Sequence, residues 1–180
     1  LIRADVIDDT IPQRFLKGKE LRNASRYTRM AMEAAGEAMM DAGLLDDELN
    51  PVIDMSAAGV ASGNCIGGTY DDMLPVHHQY VEKDGAPRVP PHLHVMFPHN
   101  IGGYTIQKRF GMMGPSSTVV TACATGSQAI GDGFHDVKYG RAPLMIAGAM
   151  ESTVHPLFAL GFEAMRALCT DSNDNPEKAS

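Results

Sequence analysis

The chain has 180 residues, 44% of them hydrophobic, which is enough for a domain with its own core. Its formal charge of -7, with no Lys/Arg block and no aromatic-interleaved basic stripe, argues against a nucleic-acid partner. The longest apolar runs, such as Leu144–Met150, are far too short to cross a bilayer, and three cysteines at unrelated spacings argue against a disulfide framework, so the composition predicts a soluble intracellular protein without membrane attachment.

Residues 1–20 read as irregular, because Pro12 and Gly18 interrupt any period, and Asn23 and Ser25 are candidate helix caps. From Tyr27 through Met30, Ala31, Ala34, Ala35, Ala38 and Met39 apolar residues recur at helical spacing, with Gly43 as a natural stop. A polar connection over 46–51 leads to a short strand around Met55–Ser62, which opens into Gly63-Asn-Cys-Ile-Gly-Gly68. A second helix is predicted over 69–82, with Pro75 as a kink or early break. Residues 83–98, rich in proline and histidine, read as a surface loop.

A helix over about 100–110 follows, closed by Gly111, and Met112-Met-Gly-Pro115 feeds a β-branched strand that runs to Cys123. The next helix is predicted to turn Ala129, Ile130, Gly133, Phe134 and Val137 inward and to stop at Tyr139-Gly140. Leu144–Ala149 then reads as a strand buried on both faces. Strand, helix, strand in that order predicts a crossover between parallel strands and an α/β class, with no internal repeat.

Cys123 is the candidate for chemistry. A side chain on a strand-to-helix turn projects from the carboxyl end of its strand, and the amides of the following helix place partial positive charge beside it. A thiol there ionises more readily than a free one, and the small neighbours Ala122, Ala124, Thr125, Gly126 and Ser127 leave room for a substrate. The competing reading is a buried small hydrophobe. Cys65 and Cys169 lack this context and read as core or loop residues.

Seven histidines invite a metal reading, but His92, His94 and His99 lack an acidic or thiolate companion at ligand spacing and read as solvated loop residues. His135 lies twelve residues beyond Cys123, several helical turns away, too far to be its local base. The 63–68 loop has no Lys-Ser or Lys-Thr pair, so it reads as a close backbone approach beside a pocket and not as a phosphate cradle. Met112 and Met113 read as core filling or pocket lining.

With these residues laid out, the chain resembles the β-ketoacyl-acyl carrier protein synthases of the thiolase-like superfamily. The resemblance is carried by Gly114-Pro115, Thr121-Ala-Cys-Ala-Thr-Gly126, Ile146-Ala-Gly148 with Glu151, Pro156-Leu157 and Gly161-Phe-Glu-Ala-Met-Arg-Ala-Leu168. Ser62-Gly63, Ile66-Gly-Gly68 and Asp41-Ala-Gly-Leu44 fit the same pattern. It implies a layered α/β fold with a mainly parallel mixed sheet flanked by helices. It further implies an acyltransferase of fatty-acid biosynthesis, with Cys123 as acyl acceptor and its backbone amide in an oxyanion hole. Ile66 would wall the acyl pocket and Phe162 would gate it.

The implied partner is an acyl carrier protein, with a homodimer in the full-length protein. No separate cofactor is implied, because substrates ride on the carrier's phosphopantetheine. Bacterial cytoplasm, mitochondrial matrix and plastid all suit that role.

The family's later His-Gly-Thr-Gly-Thr and Asn-x-x-Phe-Gly-Phe-Gly-Gly motifs do not occur here, and the usual first strand is missing before Leu1. The expectation is therefore that residues 1–180 are an incomplete N-terminal ketosynthase domain, cut at both ends, that does not complete condensation alone. Alternative readings are a polyketide ketosynthase domain, a degradative thiolase, or a non-catalytic subunit that sets chain length. A cysteine-dependent hydrolase fits poorly, since no histidine stands where it could activate Cys123.

Overall fold

The computed structural model describes residues 11–83, 85, 89–172 and 174–178. They fall into two compact units, one of residues 11–152 and one to which 153–178 belong.

In the first unit a short helix α1 (Gly18–Asn23), absent from the sequence expectation, precedes α2 (Arg26–Asp41). Ser25 holds the cap position of α2 without bonding a helix amide; its hydroxyl instead shares a 2.9 Å hydrogen bond with the Thr28 hydroxyl. Tyr27, Ala31, Ala35 and Met39 of the predicted stripe of α2 are buried, together with Met32, whereas Met30 is half-buried and Ala34 and Ala38 are exposed; Gly43 follows the helix at φ +68°. The segment before α1 is held by Arg14, whose amide and Nε donate to Glu33 at 2.7 and 2.9 Å, so that Phe15 enters the core against Phe110.

Strand β1 (Gly59–Gly63) starts later than the sequence suggests and is buried along its whole length. Pro75 does not break the following helix: a π-helical turn over Thr69–Met73 passes directly into α3 (Leu74–Glu82), with the proline in its first turn, where no helix donor is lost. The described part of 83–98 is loop apart from one 3-10 turn at Leu93–Val95. Then come α4 (Ile101–Phe110), closed by Gly111 at φ +70°, β2 (Ser116–Val119), α5 (Thr125–Lys138) and β3 (Met145–Ala149). Met112 is in the core, whereas Met113 is 79% exposed and fills no core.

The three strands form one sheet in the order β2-β1-β3 with both pairings parallel, flanked by helices as the resemblance implies. Alternation along β1 sends Val60 and Ser62 toward α4 and Ala61 toward α5, which makes three layers: α2 and α4, the sheet, and α5. Close packing of α5 depends on Gly133, where a Cβ would come within 2.8 Å of the Ala147 methyl.

Two packing expectations are overturned here. The inward face of α5 is Thr125, Ala129, Gly133 and Asp136, while Ile130, Phe134 and Val137 are 57%, 59% and 45% exposed. Only the small-residue stripe lets the helix axis approach a sheet of alanines, so that stripe wins over the bulkier one. Among the described residues strand β3 pairs with β1 alone and is half-buried to exposed, while the central strand is buried along its length.

In the second unit, Pro156 opens α6 (Pro156–Ala164), and the His155 Nδ1 accepts from the Leu157 amide at 3.2 Å as its cap. Phe158 and Phe162 pack edge to face one turn apart on this helix, with ring centroids 5.0 Å apart.

Candidate functional site

Gly63 is in register with both Val119 and Ala149, so the three parallel strands end level. One edge of the sheet therefore gathers three connections: the 64–68 loop after β1, the 120–124 turn after β2, and Met150–Ser152 after β3. The carboxyl ends of parallel strands are where α/β folds place their sites.

Cys123 stands in the connection after β2, beside the central strand's loop, and is exposed. The strand stops at Val119, earlier than the sequence suggests, and Ala122–Ala124 form a 3-10 turn that runs into α5. Ala122, directly before the cysteine, sits at φ +49°. A side chain in that left-handed region carries strain on the order of 1 kcal/mol, which the surroundings must hold in place.

They do so through Thr125, which is 3% exposed: its hydroxyl accepts from the Thr121 amide at 2.9 Å and donates to the Ala122 carbonyl at 2.7 Å. The Ala124 amide closes the same turn on the Thr121 carbonyl at 3.0 Å. Gly63 completes the fit, since a Cβ there would overlap the Thr125 methyl and the Val119 carbonyl.

The 64–68 loop is fixed from two sides. Glu151 Oε2 accepts from the Cys65 amide at 2.7 Å and from the Ile66 amide at 3.0 Å, so successive backbone amides of this glycine-rich loop do hold an anion, and it is the protein's own carboxylate. On the other side Asn64, 2% exposed, donates through Nδ2 to the His99 carbonyl at 2.8 Å and pairs through Oδ1 with His99 Nδ1. His99 is thus half-buried and bonded, not a solvated loop histidine; His92 is half-buried and His94 exposed.

Ile66, half-buried at the crest of this loop, also has its carbonyl taken by the Thr69 hydroxyl at 2.8 Å. Cys65 is half-buried in the same loop and Cys169 is exposed. Behind the loop, Asp72 Oδ2 is buried without a hydrogen-bond partner among the described residues, and its burial, reinforced by the Asp71 charge, pushes the carboxyl up to about 6.

The sheet edge brings Cys123 and Ile66 onto neighbouring strand ends of the first unit, while Phe162 belongs to α6 of the second and is half-buried there. Sequence reasoning missed the work of Thr125, Glu151 and Asn64. Thr125 was visible only as a small residue after the cysteine, and no local pattern ties Glu151 to a loop 86 residues earlier.

The family model described as "Beta-ketoacyl synthase, N-terminal domain" matches residues 5–180. A 3-oxoacyl-(acyl-carrier-protein) synthase 2 from Rhizobium meliloti is 36% identical over 167 residues, covering 92% of this chain and 38% of that protein. A crystal structure of a β-ketoacyl synthase from Burkholderia phymatum superposes with a TM-score of 0.77 at 27% identity, covering 94% of this chain and 40% of that one. A type II polyketide ketosynthase, solved with its acyl-carrier protein and bound to a hexaketide, shares the fold alone, with a TM-score of 0.71 at 22% identity over 88% of this chain and 44% of that one. The chain spans about two fifths of the length of the relatives it matches.

Proposed function

The chain belongs to the β-ketoacyl synthase family, and from that membership we propose that Cys123 takes up an acyl group from a carrier-protein thioester, ahead of decarboxylative condensation with malonyl-acyl carrier protein. The Cys123 sulfur attacks the thioester carbonyl. The carbon–sulfur bond to phosphopantetheine breaks, the released thiol takes the proton that Cys123 gave up, and an acyl-enzyme remains.

Loss of carbon dioxide from the malonyl unit generates an enolate. Its attack on the acyl carbonyl expels Cys123 and gives the 3-oxoacyl product. The backbone amide of Cys123 contributes to the oxyanion hole that meets the charge on the acyl oxygen. Ile66 forms part of the acyl wall and Phe162 gates the acyl chain; both roles rest on the family resemblance. In this reading residues 1–180 supply the N-terminal, acyl-accepting part of a ketosynthase domain, acyl carrier protein is the partner, and the full-length protein is a homodimer.

The observation that carries this reading is the exposed Cys123 on a strained, Thr125-braced turn at the carboxyl edge of a parallel sheet and at the start of a helix. Among the described residues no helix is long and apolar enough to cross a membrane.

The test is incubation of the chain with an acyl-carrier-protein thioester followed by peptide mass spectrometry. The acyl mass is expected on Cys123 and is absent from Cys123→Ser. Modification at Cys65 or Cys169 instead, or at no cysteine, overturns the reading. Acylation by this route is common to fatty-acid and polyketide ketosynthases. The preferred acyl carrier separates the two, and a Cys123 that stays unmodified by every carrier would point to a chain-length subunit.

A further inference from the structure

We propose that Glu151 is a positioning residue that fixes the Ile66 side chain, and so sets which acyl lengths Cys123 accepts; this deepens the function proposed above and rests on it. Both backbone polar groups of Ile66 are engaged, the amide by Glu151 Oε2 at 3.0 Å and the carbonyl by the Thr69 hydroxyl at 2.8 Å. Glu151 also holds the preceding Cys65 amide at 2.7 Å, which stops the peptide between the two residues from rotating. The loop cannot drift away from this grip, because Asn64 is bonded to His99 and the Gly68 amide donates to the Phe97 carbonyl at 3.2 Å.

What these backbone bonds leave unconstrained is the half-buried Ile66 side chain, on the loop after the strand next to the one that leads to Cys123. The carboxylate doing this follows β3, so a single side chain joins the connection after β3 to the connection after β1. Hydrogen bonds to an ionised acceptor are roughly twice as strong as neutral ones, so Glu151 is the firmest of these ties. A wall held this way discriminates by position. Since one methylene in an apolar pocket changes rates by about 10- to 200-fold, even a small displacement of Ile66 is expressed as altered length preference.

The test compares the full chain with Glu151→Gln, Ile66→Ala and the double variant. The rate of Cys123 acylation is measured by mass spectrometry with carrier-protein thioesters graded from acetyl to palmitoyl. Glu151→Gln is expected to flatten or move the length profile by about fivefold or more while acetyl transfer changes less than about twofold, and its effect should vanish on the Ile66→Ala background. An equal slowing at every length, or effects that add in the double variant, overturns the proposal.

Amide hydrogen exchange reads the grip without any chemistry. Protection at Cys65 and Ile66 should fall about tenfold in Glu151→Gln, and unchanged protection overturns the proposal even if Cys123 is never acylated. If Glu151→Gln shows this protection loss but the wild-type chain is not acylated, the proposed function fails and the positioning of Ile66 by Glu151 stands. Should Glu151→Gln not fold, Glu151→Asp keeps the charge, shortens the reach and is read in the same way.

Discussion

The Thr125 hydroxyl donates to the carbonyl of Ala122, the one residue of the cysteine turn held at positive φ. The same oxygen accepts from Thr121, so one buried group closes the turn from both ends. Thr125→Ser keeps the hydroxyl and should retain acylation of Cys123 within about threefold. Thr125→Val keeps the shape but leaves the Thr121 amide without its acceptor and the Ala122 carbonyl with the Thr125 backbone amide alone, which costs about 1–3 kcal/mol of stability and slows acylation at least tenfold. Thermal unfolding and the mass-spectrometric rate are the measurements.

Gly63 faces Thr125 across the strand ends with no room for a methyl group. Gly63→Ala is therefore expected to destabilise the fold by about 1–3 kcal/mol through overpacking, measured by denaturant unfolding. The pair Gly63→Ala with Thr125→Ser, which removes the obstructing methyl, should recover part of that loss.

Asp72 gives the protein a pH dependence whose sign follows from its raised pKa. The unfolded carboxyl titrates near 3.8 and the folded one at about 6, so the folded state binds more protons between those values. The stabilising contribution of the protonated form is fully present below about pH 4 and is lost as pH rises through 6. Asp72→Asn should remove this slope and be the more stable protein at pH 7, by on the order of 1 kcal/mol once solvent screening of a half-buried group is allowed for. Parallel melts of the two proteins from pH 4 to 7.5 test this, and a constant difference across the range would contradict it.

Phe134, at 59% exposed, contributes little to the packing of α5 on the sheet. Phe134→Lys is expected to leave unfolding free energy within about 0.5 kcal/mol of wild type, whereas Ala129→Lys on the buried side should unfold the unit. Chemical denaturation distinguishes them. A large loss for Phe134→Lys would mean that the bulky face of α5 is the packed one.

Elements whose pattern is local were legible in the sequence. The stripe of α2, the Gly43 and Gly111 stops and the strand–helix–strand run around Cys123 each depend on neighbours within a few turns. What was hidden depends on partners far along the chain. Ile130 and Phe134 look like core residues on their own helix, and only the alanines of β1 and β3 show that a glycine-lined approach is needed instead. Leu144–Ala149 looks like a central strand because hydrophobicity does not say which side lacks a neighbour. At the site, the cysteine turn could be read from residue types, but the Glu151 contact joins two loops that share no pattern, and Asn64 with His99 is a pairing across 35 residues.

The order β2-β1-β3 has a consequence for how the protein comes to be made. Among the three described strands the middle one, β1, is translated before both of its partners: β2 follows, with Ser62 and Thr118 separated by 56 residues, and β3 emerges still later. Pairings so distant are slow to close. During synthesis, Cys65 and Ile66 stay without their carboxylate until Glu151 has been translated, so the loop after β1 cannot set before β3 has emerged.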